Sequence, residues 1–126
     1  MKGVLVVDEH KDVLGVYEGM FQNSPYRLYL SDNPRKALNM LKGKGRNLVD
    51  LVITDIYMDK MSGDELIRKA RHMNEKVKFA IHPGVSEKYA EPLLKKLKEE
   101  KIEVGFLSPF FLREDFMALV KSLIGK

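Results

Sequence analysis

Short runs of aliphatic, β-branched residues alternate five times with segments of helical period along this chain, and few architectures satisfy that rhythm. The first run, GVLVV (3–7), is continuous rather than alternating, which suits a strand covered on both faces. KDVLGVYEGMFQN (11–23) then sets Val13, Leu14, Tyr17, Met20 and Phe21 on one helical face. YRLYL (26–30) alternates as a strand, and SDNPRKALNMLK (31–42) offers Asp32 and Asn33 as N-caps ahead of Pro34 at a first helical position. Beyond the GKGR turn (43–46), LVDLVIT (48–54) reads as the third strand and GDELIRKARHM (63–73) as a helix with Leu66, Ile67 and Ala70 inward. VKFAI (77–81) is the fourth strand. A helix follows between Ser86 and Lys101, with Pro92 either kinking it or marking a late start. VGFL (104–107) is a short fifth strand, and REDFMALVKSLI (113–124) closes with Phe116, Leu119, Val120 and Leu123 on its apolar face.

Five strand–helix units in this order predict an α/β fold: a five-stranded parallel sheet, order 2-1-3-4-5, with right-handed crossovers and helices on both faces. Strands one and three are then neighbours, and the functional crevice lies at their carboxyl ends. The 126 residues suit a single domain over 1–126, with no linker or internal repeat and no output domain expected.

Composition removes several function classes. No apolar stretch approaches the roughly 20 residues that span a bilayer, so membrane insertion is not expected. MKGVLVVDEH closes on acids where a signal peptide has small residues, which makes the cytoplasm the expected location. Without cysteine there is no thiolate zinc site and no thiol nucleophile, leaving oxygen and imidazole for any chemistry. The net charge of +4 is spread along the chain and interleaved with acids. Its densest stretch, LLKKLKEEK (93–101), has Leu93, Leu94 and Leu97 on one face and reads as a solvated helix, so no nucleic-acid partner is expected.

Acids sit where the crevice is predicted. Strand one ends in VVDE and strand three in VITD, so Asp8, Glu9 and Asp55 converge. Three carboxylates held together by backbone geometry repel one another unless protons, a cation or solvent intervene. Mg²⁺ is the economical solution, because it takes oxygen ligands and keeps waters that phosphate oxygens can replace. His10, beside these acids, reads as a solvent-exposed first-helix position in preference to a ligand. His72 reads as surface. Met58 is expected to pack over the strand end, and Tyr57 either packs there or gates access.

VLVVDE (4–9), LVITDIYMDKMSGDEL (51–66) and FLSPFF (106–111) together resemble a flavodoxin-like receiver domain of the two-component response-regulator family, across essentially the whole chain. That resemblance implies Asp55 as acceptor of a phosphoryl group from a histidine kinase or phosphotransfer protein, with a downstream protein target. It implies Glu9 as a direct Mg²⁺ ligand, Asp8 acting through water, and the backbone carbonyl of Tyr57 completing the set. Such a domain is a signalling module rather than an enzyme. The family's Thr or Ser after strand four is here His82, and its Lys before the proline after strand five is Ser108. A hydroxyl at Ser108 does not replace an ammonium against a dianion. The resemblance also implies a cis Ser108–Pro109 bond, places the family's aromatic switch position on Gly105, or on Phe106 after a one-residue shift, and puts Asp59 where a proline is usual. Altered switching is expected. The alternative is a pseudo-receiver, an interaction module that keeps Asp55 without productive phosphorylation.

Overall fold

The GVLVV run lies at the centre of the molecule as β1 (Gly3–Val7), all five residues buried. In the computed structural model, which describes residues 1–81, 87–107 and 112–126, the chain continues as α1 (Lys11–Phe21), β2 (Arg27–Ser31), α2 (Pro34–Met40), a 3-10 turn (Gly43–Gly45), β3 (Leu51–Thr54), α3 (Gly63–Met73), β4 (Lys78–Ile81), α4 (Glu87–Glu99), β5 (Val104–Phe106) and α5 (Arg113–Ile124). The strands pair in parallel in the order β2-β1-β3-β4-β5, the topology expected from the sequence.

Alternation along the strands divides the core into two layers. Leu5 and Val7 join Val52, Phe79 and Ile81 beneath α2, α3 and α4, where Leu38, Leu66, Ile67, Ala90 and Leu97 are buried. Val4 and Val6 point the other way and join Leu51, Ile53 and Ala80 beneath α1 and α5. There Phe116 meets Tyr17 and Phe21 edge-on, with ring centroids 5.6 and 5.4 Å apart. Both faces of the sheet are therefore covered, as continuous apolar strands require.

Local chemistry sets the element ends. Asn33, and not Asp32, caps α2: its Oδ1 accepts the N–H groups of Arg35 at 2.8 Å and Lys36 at 3.3 Å. Helix α1 stops at Phe21, short of the expected Asn23, because Asn23 turns left-handed with φ 60°. The guanidinium of Arg113 then donates to the carbonyls of Met20 and Gln22 at 2.9 and 3.0 Å, satisfying acceptors that the end of α1 leaves unpaired. Helix α4 runs through Pro92, which forfeits the bond to the carbonyl of residue 88 without ending the helix.

Candidate functional site

The ladder hydrogen bonds carry β1 and β3 to their last residues side by side. Asp8 donates its N–H to Ser31 at 3.1 Å, and Asp55 donates its N–H to Val7 at 3.2 Å, so the two acids leave adjacent strands at the same level. Both are buried, Asp8 to 1% exposure and Asp55 to 8%. The carboxylate of Asp55 is fixed through Oδ1, which accepts the N–H of Ile56 at 2.7 Å. Asp8 Oδ1 accepts two bonds from His10, one from the backbone N–H at 2.8 Å and one with ring Nδ1 at 2.9 Å. Among the described residues, Asp8 Oδ2 is the buried side-chain atom left with no hydrogen-bond partner. An orphaned carboxylate oxygen in a buried acidic pocket is costly unless a cation reaches it.

Ligand atoms of Asp8, His10 and Asp55 all lie within 4.8 Å of one another. Glu9 is not in that group; its Oε1 accepts the backbone N–H of Asp59 at 2.7 Å, which ties the end of β1 to the loop after β3. His10 is exposed, as its position predicts, with 70% of its side chain in solvent, but it is not unpartnered. The hydrogen bond and charge of Asp8, with Asp55 and Glu9 adding to them, hold its imidazole above the ordinary range. Tyr17 lies under the same pocket. Burial pushes its phenol well above the ordinary range, and the charges of Asp8 and Asp55 push in the same direction.

The loop from β3 to α3 is held close. Gly63 donates its N–H to the carbonyl of Ile56 at 2.7 Å, and a Cβ at Gly63 would collide with the carbonyl oxygen of Asp55 and stand 2.9 Å from Ile56 Cα. Only glycine lets α3 begin against the backbone that carries the acid. Met58 packs on the core as expected, whereas Tyr57 is 65% exposed. Asp59 is exposed, and so is His72.

His82, Ser108, the Ser108–Pro109 bond, Phe110 and Phe111 lie outside the described residues. On β5 the two switch candidates face opposite layers. A Cβ at Gly105 would meet Leu123 and Leu119 of α5 at 3.3 and 3.6 Å, while Phe106 packs on the layer that holds Ala90 and Leu97 of α4. The aromatic ring on the α4 side is thus Phe106.

Sequence reasoning placed Asp8 and Asp55 together from their strand ends alone. It missed the Asp8–His10 contact, the Glu9–Asp59 bond, the reach of the acids to Tyr17 and the steric demand at Gly63. A glycine three residues before LIRK in an acid-flanked loop was the available signal for the last. Nothing in the one-dimensional pattern marked the others.

The open α/β sheet thus carries two buried acids at the carboxyl ends of its central strands, and comparison with known proteins gives the family. The family model described as response regulator receiver domain matches residues 4–107, and the chain belongs to that family. It is 34% identical over 124 residues, 97% of this chain and 12% of the relative, to the sensor histidine kinase TmoS of Ectopseudomonas mendocina. It is 44% identical over 63 residues, 50% of this chain and 10% of the relative, to a putative two-component response regulator of Arabidopsis thaliana. The chain thus spans about a tenth of the length of these curated relatives. Among solved structures, a response regulator receiver domain protein from Clostridium thermocellum superposes with TM-score 0.82 at 17% identity, covering 98% of this chain and 94% of the other. The chemotaxis protein CheY4 of Vibrio cholerae gives 0.76 at 20% identity, with 98% of each chain covered. These two likenesses concern the fold. Among the described residues, no helix is long and apolar enough to cross a membrane.

Proposed function

We propose that this receiver domain takes a phosphoryl group on Asp55 from a histidine kinase or phosphotransfer protein and passes the change of state to a downstream protein. The observation that carries the reading is the buried Asp8 Oδ2, without a hydrogen-bond partner, beside Asp55 at the ends of β1 and β3. The donor set fits Mg²⁺, a hard ion satisfied by a few carboxylate and carbonyl oxygens. Asp8, Glu9 and Asp55 would hold it with the backbone carbonyl of Tyr57. When bound, the ion supplies positive charge against the phosphoryl oxygens.

This chain's own residues do the rest. The Ile56 N–H donates to Asp55 Oδ1 at 2.7 Å and orients the carboxylate that attacks phosphorus. The new O–P bond to the Asp55 carboxylate forms as the N–P bond of the donor phosphohistidine breaks, and the departing imidazole takes a proton from solvent. Burial of Asp55 limits water at the acyl phosphate. The sequence carries neither the family's hydroxyl residue at His82 nor its lysine at Ser108, and both changes weaken the means of sensing the phosphoryl group. Switching is therefore atypical in this reading.

Beryllofluoride, a phosphoryl mimic, tests it when added with Mg²⁺ while amide resonances are followed by NMR. Shifts at Asp55 and Ile56 that require Mg²⁺ support the proposal, and shifts extending to Phe106 show that the switch is coupled. No Mg²⁺-dependent change at Asp55 would favour the pseudo-receiver, an interaction module without productive phosphorylation.

A further inference from the structure

We propose that His10 is a metal ligand in its own right, and that with Asp8 and Asp55 it makes a mixed nitrogen–oxygen site selecting a divalent first-row transition ion of the zinc class over Mg²⁺. This rests on the reading above that the acids at the ends of β1 and β3 receive a cation, and adds a nitrogen donor to that site.

Four observations place the imidazole there. Its ring offers a nitrogen to the group whose ligand atoms lie within 4.8 Å of one another, together with two buried carboxylates. The distance from Nδ1 to Asp8 Oδ1 is 2.9 Å. Adjacent ligands on a tetrahedral ion with bonds of about 2.0 Å stand about 3.3 Å apart, so a small turn of the ring, with loss of the hydrogen that Nδ1 shares with Asp8, lets the two hold one ion. Asp8 Oδ2, buried and without a hydrogen-bond partner, points independently to a missing positive partner at this spot. His10 also holds the N-cap position of α1 and makes no side-chain capping bond, its ring turned to the acids instead of the helix end.

One oxygen of Glu9 accepts the Asp59 N–H at 2.7 Å, and His10 is the third group gathered with the two aspartates. Oxygen-only sets suit Mg²⁺, but an imidazole nitrogen adds little for that ion and much for zinc-class ions. The outer nitrogen Nε2 sits on a ring that is largely in solvent, so it can carry the proton while Nδ1 offers its lone pair.

Calorimetric titration of the untagged full chain with Zn²⁺ and, separately, Mg²⁺ tests this in the native protein, His10→Asn and Asp55→Asn. Asparagine is a strong N-cap, so α1 is retained, and circular dichroism verifies it. The expected result is that His10→Asn loses roughly tenfold or more in Zn²⁺ affinity while its Mg²⁺ affinity stays within about twofold. Asp55→Asn is expected to weaken both ions. An unchanged Zn²⁺ affinity in His10→Asn, or equal losses for the two ions, overturns the inference. Zn²⁺ binding that survives Asp55→Asn at full strength also overturns it, since the ion would then sit elsewhere. Absent Mg²⁺ binding in the native protein, with Zn²⁺ binding lost in His10→Asn, would sustain the inference and reject the Mg²⁺-dependent function.

Discussion

The carboxylate of Glu9 accepts the backbone N–H of Asp59 at 2.7 Å, so the second residue after β1 is a clamp on the loop after β3. The two roles given to Glu9, loop clamp and metal ligand, separate by substitution. Glu9→Gln keeps an acceptor oxygen for Asp59 and loses the charge. It is expected to hold stability within about 0.5 kcal/mol while Mg²⁺ affinity falls roughly tenfold or more. Glu9→Ala loses the clamp as well, at a further cost of about 1 kcal/mol. Chemical denaturation in chelator, beside Mg²⁺ titration, measures both. Equal Mg²⁺ affinity for Glu9→Gln and the native protein would remove Glu9 from the ligand set.

Gly63 tests whether the loop geometry matters to the acid. A Cβ there meets the backbone of Asp55 and Ile56, which cannot swing aside as a long side chain can. Gly63→Ala is expected to destabilise by about 1–3 kcal/mol and to weaken Mg²⁺ binding, because relief of the clash displaces Asp55. A stable variant with native metal affinity would show that the loop yields without moving the site.

Gly15 and Gly19 give the opposite sign. Both lie on the exposed face of α1, and a Cβ at either meets nothing within 4 Å. Each Gly→Ala substitution is expected to stabilise by roughly 0.5–1 kcal/mol through helix propensity alone. Thermal unfolding of Gly15→Ala and Gly19→Ala measures this, and a lowered Tm in either would reveal a constraint on α1 that the packing does not show.

Arg68 sets part of the acid limb of stability. It binds Asp64 one turn earlier at 2.6 Å and Glu100, beyond α4, at 2.8 Å. Burial pushes the Asp64 carboxyl up, but hydrogen bonds from Ser62 and Arg68 and the guanidinium charge outweigh it and hold the group below its ordinary range. The hydrogen bond from Arg68 likewise holds Glu100 low. Carboxyls depressed in the folded state give stability that is present above the ordinary carboxylate range and lost as pH falls through their folded values. Arg68→Met is therefore expected to lower Tm by a few degrees at neutral pH, with the gap to the native protein closing in acid. A gap that stays constant with pH would assign the loss to packing.

The fold was legible because strand and helix periods differ and every unit of this chain keeps one or the other. GVLVV announces a strand covered on both sides, and the Phe116–Leu119–Val120–Leu123 face announces α5. Element ends were less legible, since the left-handed turn at Asn23 or the capping choice between Asp32 and Asn33 depends on where the neighbouring chain passes. The convergence of Asp8 and Asp55 followed from strand order. The direction of an exposed side chain did not: His10 is as accessible as its position implies, yet its ring turns to Asp8, with Nδ1 2.9 Å from the carboxylate. Glu9 was placed among the acids by strand position, whereas its carboxylate engages the amide of Asp59, a contact that exists only once the loop after β3 has closed.

The central claim is that Asp55 accepts a phosphoryl group in a Mg²⁺-dependent way, and intact mass after treatment with a small-molecule phosphodonor measures it most directly. Asp55 is fixed by Ile56 and stands beside the unpartnered oxygen of Asp8, so the native protein with Mg²⁺ should gain the mass of one phosphoryl group. Asp55→Asn should gain none, and the native protein in chelator should gain none. A native protein that stays unmodified at saturating Mg²⁺, or an Asp55→Asn variant modified to the same extent, would contradict the account.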